Sequence, residues 1–314
     1  MSAFVQYFFL SAPLFAIVLA GYVLALWPRW NKRWTEWASK FVFNVALPAM
    51  LFYLMSDLRS MPPVKPSVLI AFFGACFLVF ALGRLAAARV FHLDGVAQSV
   101  FAMGGIFSNN VLLGLPLVKI TLGPAAVPSA ALIIVFNAFT LWTLVSISIE
   151  WAKHGSFTWM GMGKMAFGVI TSPLVAGIVF GTLFGLSGLR MPQFLDHALK
   201  LLSDVAGPSA LLILGMGLVQ YGVRSGWQHS LAISFFKLIA FPSVVWALSA
   251  LLGLSPIETK AIVLLASMSI GANVYLMSIQ FQTMQSAIAS GMVLSTALAA
   301  ITTPLFLAAM AAVL

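Results

Sequence analysis

Apolar residues run through this chain in stretches of roughly 20, about the number a helix needs to cross the hydrocarbon core of a bilayer. Polar and Pro/Gly-rich punctuation cuts them into ten candidate spans: 8–27, 38–56, 67–90, 98–121, 127–149, 165–186, 200–221, 229–252, 259–281 and 287–313. Barrel strands would instead alternate apolar and polar residues over segments of about ten. Continuous runs of Leu, Ala, Val, Phe and Gly fit helices, which satisfy their own backbone hydrogen bonds where no water can. The pattern predicts an all-α integral membrane protein with ten transmembrane helices. The longest polar connection, Glu150 to Lys164, leaves no room for a soluble catalytic domain. The N-terminus lacks a basic stretch ahead of a short apolar core and a small-residue cleavage site, so the segment from Phe8 to Trp27 reads as a retained first span.

Composition agrees: 62% of the 314 residues are hydrophobic and 7% are charged, too few charges for a soluble domain's surface. The net charge of +9 comes from 16 Lys and Arg residues scattered one to three per loop, with no patch to hold nucleic acid. They set orientation instead. Arg29, Lys32, Arg33, Lys40, Arg84, Arg89, Lys153, Lys164, Arg224 and Lys237 fall on one side, ten against the six of Arg59, Lys65, Lys119, Arg190, Lys200 and Lys260. The bias is sharpest at Arg29, Lys32 and Arg33, which places that loop in the cytoplasm and both termini outside. Trp27, Trp30, Trp34 and Trp37 flank it as an interfacial aromatic belt would.

Catalytic chemistry has little to work with. His92, His154, His197 and His229 are scattered without metal-ligand spacing, and no phosphate-binding Walker loop or Gly-x-Ser-x-Gly elbow occurs. Cys76, the single cysteine, reads as a packing residue. Neither an enzyme nor a direct ATP-driven pump is expected, and no metal or other cofactor.

Two local matches suggest an internal repeat. Asn44-Val-Ala-Leu-Pro48 in the second span returns as Asp204-Val-Ala-Gly-Pro208 in the seventh, 160 residues on. Ser108-Asn109-Asn110-Val111 in the fourth matches Gly271-Ala272-Asn273-Val274 in the ninth, at an offset of 163. Five spans per repeat is an odd number, so the halves, 1–154 and 155–314, would lie inverted in the bilayer, as in many secondary transporters.

The richest segment runs from Gly104 through Gly105, Ser108, Asn109, Asn110 and Gly114 to Pro116, in the middle of an apolar span. Pro116 lacks an amide donor and clashes with the preceding turn, freeing carbonyls near Leu112. Gly105, Gly114 and Pro116 are the predicted helix-breaking positions of this span. A discontinuous helix within a membrane belongs where it lines a cavity, and its half-helix N-terminus offers free amides and partial positive charge to a carboxylate. Small residues also let packed helices approach closely, so a plain kink is the competing reading. In the ninth span Ser267, Ser269, Gly271, Asn273 and Gln280 occupy the corresponding stretch without a proline, leaving a break through Gly271 or only a bend.

Ionisable groups inside the spans are few. Asp204, about one turn into the predicted seventh span, reads either as a hydrated helix-start carboxylate or as a group taking up a proton during a transport cycle. Arg84 and Lys237 lie near the cytoplasmic side, where they would snorkel to the interface or attract an anion.

The run from Asn109 to Leu117, the Asn44-to-Pro48 element and the five-plus-five layout resemble the auxin efflux carrier family over essentially the whole chain. The short central loop is more similar to its bacterial branch of malonate or malate permeases. The resemblance implies a scaffold from spans 1, 2, 6 and 7, a transport part from the others, broken spans 4 and 9 that cross, a homodimer and a bacterial inner-membrane location. It also implies carboxylate substrates. The family's crossing positions map onto Asn109, Pro116 and Asn273, the last where plant relatives usually carry proline.

Together these readings predict a secondary transporter of a small organic anion. The anion would be bound by Asn109, Asn110 and Asn273 and by half-helix amides, with Ser108 and Asn44 nearby and H+ or Na+ as the candidate coupling ion. A channel or a sensor on the same architecture is the alternative, although neither a polar pore face nor an output domain is visible.

Overall fold

A computed structural model describes residues 3–27, 32–57, 65–154, 173–221 and 226–313. Arg29, Trp30, Arg59, Lys164, Arg224, the start of the predicted sixth span (165–172) and the junction of the predicted halves after His154 lie outside the described residues.

Apart from one isolated bridge, the described residues form helices and their connections. The first span is α1 (Ala3–Leu26). The second comprises α2 (Lys32–Phe41), a π-helical turn (Val42–Ala46) and α3 (Leu47–Ser56). Next come α4 (Ser67–Arg89), α5 (Gly95–Gly104), a π-helical turn (Asn110–Gly114), α6 (Leu115–Leu122) and α7 (Val127–His154). The later part holds α8 (Pro173–Ser187), α9 (Gln193–Tyr221) and α10 (Trp227–Phe235), then a π-helical turn (Phe236–Ala240) and α11 (Phe241–Leu251). It ends in α12 (Pro256–Ala266), α13 (Ala272–Gln280) and α14 (Gln285–Val313). Among the described residues seven helical segments are long and apolar enough to cross a bilayer, and they coincide with predicted spans 1, 2, 3, 5, 7, 8 and 10. Shorter apolar helices at Asn110–Leu122 and Val175–Ser187 fall in spans 4 and 6. Large apolar side chains such as Phe9, Leu19, Ile70, Phe77, Phe180, Leu201 and Phe235 are exposed, a surface suited to lipid rather than water.

Three π-helical turns share one cause. Each ends two residues before a proline: Pro48, Pro116 and Pro242. A proline removes one helical donor and its ring presses on the carbonyl four residues back, here Asn44, Leu112 or Leu238. The wider turn makes room, with the amides of Leu47, Leu115 and Phe241 bonding five residues back to Val42, Asn110 and Phe236.

Packing is tightest where glycines let backbones touch. Gly21 faces the Leu212 carbonyl and Gly215 the Val18 carbonyl, joining α1 to α9. Gly177, Gly181 and Gly185 seat α8 on the backbone of Pro48, Phe52 and Met55 in α3, and α3 also packs on α9. Spans 1, 2, 6 and 7 thus form one packed group. Elsewhere α4 lies against α5 and α11, α5 against α7, and α12 against α11.

The helix of the predicted seventh span, α9, departs from expectation. It begins at Gln193 rather than near 200, because Asp196, His197 and Lys200 break the apolar pattern without breaking the helix, and Asp196 in the first turn complements the helix dipole. Asp204 therefore lies about three turns into α9, not at a helix start.

The start of α12 is fixed by a capping box. The Glu258 carboxylate accepts from the Ser255 amide (3.0 Å) and hydroxyl (2.6 Å) and from the Lys65 amide ahead of α4 (3.0 Å). Burial alone would raise the Glu258 pKa, but these hydrogen bonds, with the Lys65 charge, outweigh it and hold it below its ordinary value of 4.5. A depressed folded-state value contributes stability that is present above the unfolded pKa and lost as pH falls through the folded one. Melting temperature is therefore expected to fall as pH is lowered from 6 to below about 4, with a shallower fall in Glu258→Gln, as differential scanning fluorimetry would report.

Candidate functional site

In the fourth span the helix stops at Gly104, whose neighbour Gly105 returns its amide to Ala102 (3.1 Å), and resumes at Asn110. Residues 105–109 between them are not helical. In the ninth, α12 ends at Ala266 and α13 begins at Ala272, again with five non-helical residues between, 267–271. The two interruptions lie against each other. The Asn109 amide donates to Ser269 (2.9 Å), the Gly271 amide donates to Phe107 (2.9 Å), and Ser108 and Ile270 face each other as an antiparallel bridge. Extended backbone deep in an apolar protein needs partners, and each break supplies them to the other.

The break positions differ in part from the sequence reading. Gly105 does sit at the end of α5, but Gly114 and Pro116 follow the interruption: Gly114 lies in the π-helical turn and Pro116 in the first turn of α6. They widen the helix where it resumes. A side chain at Gly114 would sit 2.8 Å from Leu265 Cδ2, so its smallness lets α12 approach. The ninth span is fully broken without proline. Gly271 makes this possible by close approach, since a Cβ there would lie 3.0 Å from the Ser108 carbonyl oxygen and 3.1 Å from the Phe107 ring.

Around the joined breaks, polar atoms collect without partners. Ser108 Oγ, Asn109 Nδ2, both amide atoms of Asn110 and Ser269 Oγ are buried and make no hydrogen bond among the described residues. The first amides of the resuming helices, Val111 and Leu112 on one side and Ala272 and Asn273 on the other, find no backbone acceptor there either. Buried polar groups are normally satisfied, and leaving one unpaired costs about 1–3 kcal/mol. A concentration of spare donors at two helix N-termini is the arrangement that takes up an anion.

Of the expected site residues, Ser108, Asn109 and Asn110 are together here, and Asn273 lies half-buried in the first turn of α13. Asn44 is apart from them in its position on the chain, exposed on the π-helical turn of the second span. Asp204 is 60% exposed and pairs with Lys119 at the far end of α6 (3.7 Å), while Lys119 also donates to Ser203 (3.0 Å).

Sequence reasoning missed several supporting groups. In α14, buried Ser295 accepts from the Ile270 amide (3.1 Å), and Thr303 donates to the Ser267 carbonyl (3.2 Å), so the second break is fastened to the last helix. Hydroxyls in an otherwise apolar span were the available signal. Lys237 does not snorkel: it is fully buried and donates to the Ala266 carbonyl (2.5 Å). Arg84 also turns inward, to Ser148 (2.6 Å) and Gln98 (3.3 Å), with Ser99 and Ser148 hydrogen-bonded at 2.8 Å. Cys76 is buried, in keeping with packing.

Residues 8–307 match the family described as membrane transport protein. The chain belongs to that family. The match takes in both interruptions, and this membrane transport protein is of the auxin efflux carrier type that the motifs around Asn109 and Asn44 resemble. It is 24% identical over 300 residues to a "Putative malonate transporter" of Rhizobium meliloti, covering 94% of this chain and 92% of that relative. It is also 22% identical over 259 residues to an uncharacterized transporter of Methanocaldococcus jannaschii, covering 80% of this chain and 82% of the relative. Family and relatives are transporters rather than enzymes, and so is this multi-pass membrane transport protein.

Proposed function

We propose that the protein is a secondary transporter of small organic anions, with malonate, malate and related mono- or dicarboxylates as the substrate class, working by alternating access. The observation that carries this reading is the set of buried, unpartnered polar atoms at the two joined helix breaks. A carboxylate held there accepts from Asn109, Asn110, Asn273 and Ser108 and from the half-helix amides, replacing the water it gives up. The name of the Rhizobium meliloti relative favours malonate within the class.

In this reading the chain is ten spans in two inverted halves, 1–154 and 155–314. Spans 1, 2, 6 and 7 serve as scaffold, and the glycine-mediated packing of α1, α3, α8 and α9 supports their grouping. The remaining spans carry the anion, and Asn44, exposed on the scaffold, is assigned to its path. The Lys119–Asp204 pair joins a transport helix to a scaffold helix, so sliding one past the other separates it, and Asp204 is assigned to coupling. The protein works as a homodimer in the bacterial inner membrane with both termini outside. A dicarboxylate entering a negative-inside cell works against about 2.3 kcal/mol per charge per 100 mV, so import calls for H+ or Na+ coupling.

Uptake of a radiolabelled carboxylate panel into proteoliposomes, with and without Na+ and pH gradients, tests the reading. Saturable uptake of at least one C3 or C4 carboxylate is expected; none across the panel would overturn it.

A further inference from the structure

The interruption of the ninth span creates a second electrostatic problem, at the end of α12 rather than at the start of α13. A helix leaves its last carbonyls without amide partners and carries partial negative charge at its C-terminus. Here the Val263, Leu264 and Leu265 carbonyls are taken by the Ser267 and Met268 amides, and the carbonyl of buried Ala266 finds no backbone amide among the described residues. Interrupted membrane helices commonly meet this need with an inorganic cation on the unwound carbonyls. In this protein an ammonium group is already there. Lys237, 0% exposed, extends from the π-helical turn Phe236–Ala240 and places Nζ 2.5 Å from the Ala266 carbonyl oxygen. Nζ also lies 4.8 Å from the centre of the Phe241 ring. A carbonyl at a helix C-terminus and an aromatic face are the surroundings of a cation. No carboxylate lies within ion-pair distance of Lys237 among the described residues.

We propose that Lys237 is the resident cation of the crossing: its ammonium stands where a co-bound Na+ would otherwise sit, neutralising the C-terminal end of α12 and favouring an anion at the adjoining half-helix amides. The proposal rests on the anion-transport reading and narrows it, since a tethered cation makes uptake independent of Na+. Lys237 is thus a positioning residue, acting on the anion through the field at the crossing and through the end of α12.

The test compares wild type, Lys237→Met and Lys237→Ala in proteoliposomes, in NaCl and in choline chloride at equal ionic strength, with the best substrate of the carboxylate panel. Wild-type uptake is expected to agree within about twofold between the two salts. Lys237→Met, which fills the space without the charge, is expected to lose uptake at least tenfold while still eluting as a folded species. Lys237→Ala, which opens room at the Ala266 carbonyl, is expected to recover uptake in NaCl but not in choline chloride, and to melt at a higher temperature in NaCl. Na+-dependent uptake by the wild type, full activity of Lys237→Met, or a Lys237→Ala protein indifferent to the salt in both uptake and melting would overturn the proposal. Should the wild type move no carboxylate, the transport reading fails, while the melting comparison on Lys237→Ala still decides whether a cation belongs at this position.

Discussion

Replacing Asn109 by alanine is expected to lower carboxylate uptake by about 30- to 150-fold without lowering the melting temperature. The first part follows from the energy of a hydrogen bond to a charged group, roughly 2–3 kcal/mol in a desolvated site. The second follows from the same geometry. Asn109 Nδ2 is buried with no partner among the described residues, so removing the amide removes a desolvated donor and breaks no bond of the side chain that the structure shows. The backbone bond from Asn109 to Ser269, which joins the two breaks, is untouched by the substitution. If Asn109 merely held a kinked helix in shape, stability and uptake would fall together. Asn273→Ala is expected to behave alike, and uptake with scanning fluorimetry on each purified variant separates the two cases.

Gly215→Ala is expected to be the most damaging single-methyl change. A Cβ at Gly215 runs into the backbone carbonyl of Val18, and Gly21 makes the reciprocal approach to Leu212. Overpacking a core costs about 1–3 kcal/mol when side chains can yield. Here the obstacle is backbone, so α1 and α9 must separate along their length, and the loss should reach or exceed the top of that range. Gly217, two residues further on, provides the control, because nothing lies within 4 Å of a Cβ placed there. Gly217→Ala should be neutral or slightly stabilising, since alanine is the better helix former. Detergent-extracted yield and melting temperature, compared between the two variants, check the pair.

Much of this was legible in the sequence, for identifiable reasons. Membrane helices announce themselves by uninterrupted apolar runs, and the fourth span announced its interruption by placing Ser108, Asn109 and Asn110 where hydrocarbon excludes them. Pro116 signalled disturbed backbone correctly but not its position: the proline widens the turn that follows, and the non-helical stretch lies at 105–109. In the ninth span Gly271 alone could not show whether the helix bends or stops, because its role is to admit the Ser108 carbonyl, a neighbour more than 160 residues away. The snorkelling reading of Lys237 failed for a related reason. Depth along a span says how far a lysine is from water, and what holds it in place is the end of another helix, Ala266, which no local pattern reveals. Asp204 was misplaced because α9 starts with polar turns that hide its beginning.

The proposed function puts the anion where the two interrupted helices meet. A cryo-electron microscopy map of the purified protein at saturating concentration of its best substrate tests it most directly. Density for the ligand is expected between the breaks, within hydrogen-bonding distance of the side chains of Asn109, Asn110 and Asn273. Substrate density elsewhere, with these three side chains unoccupied, would contradict it.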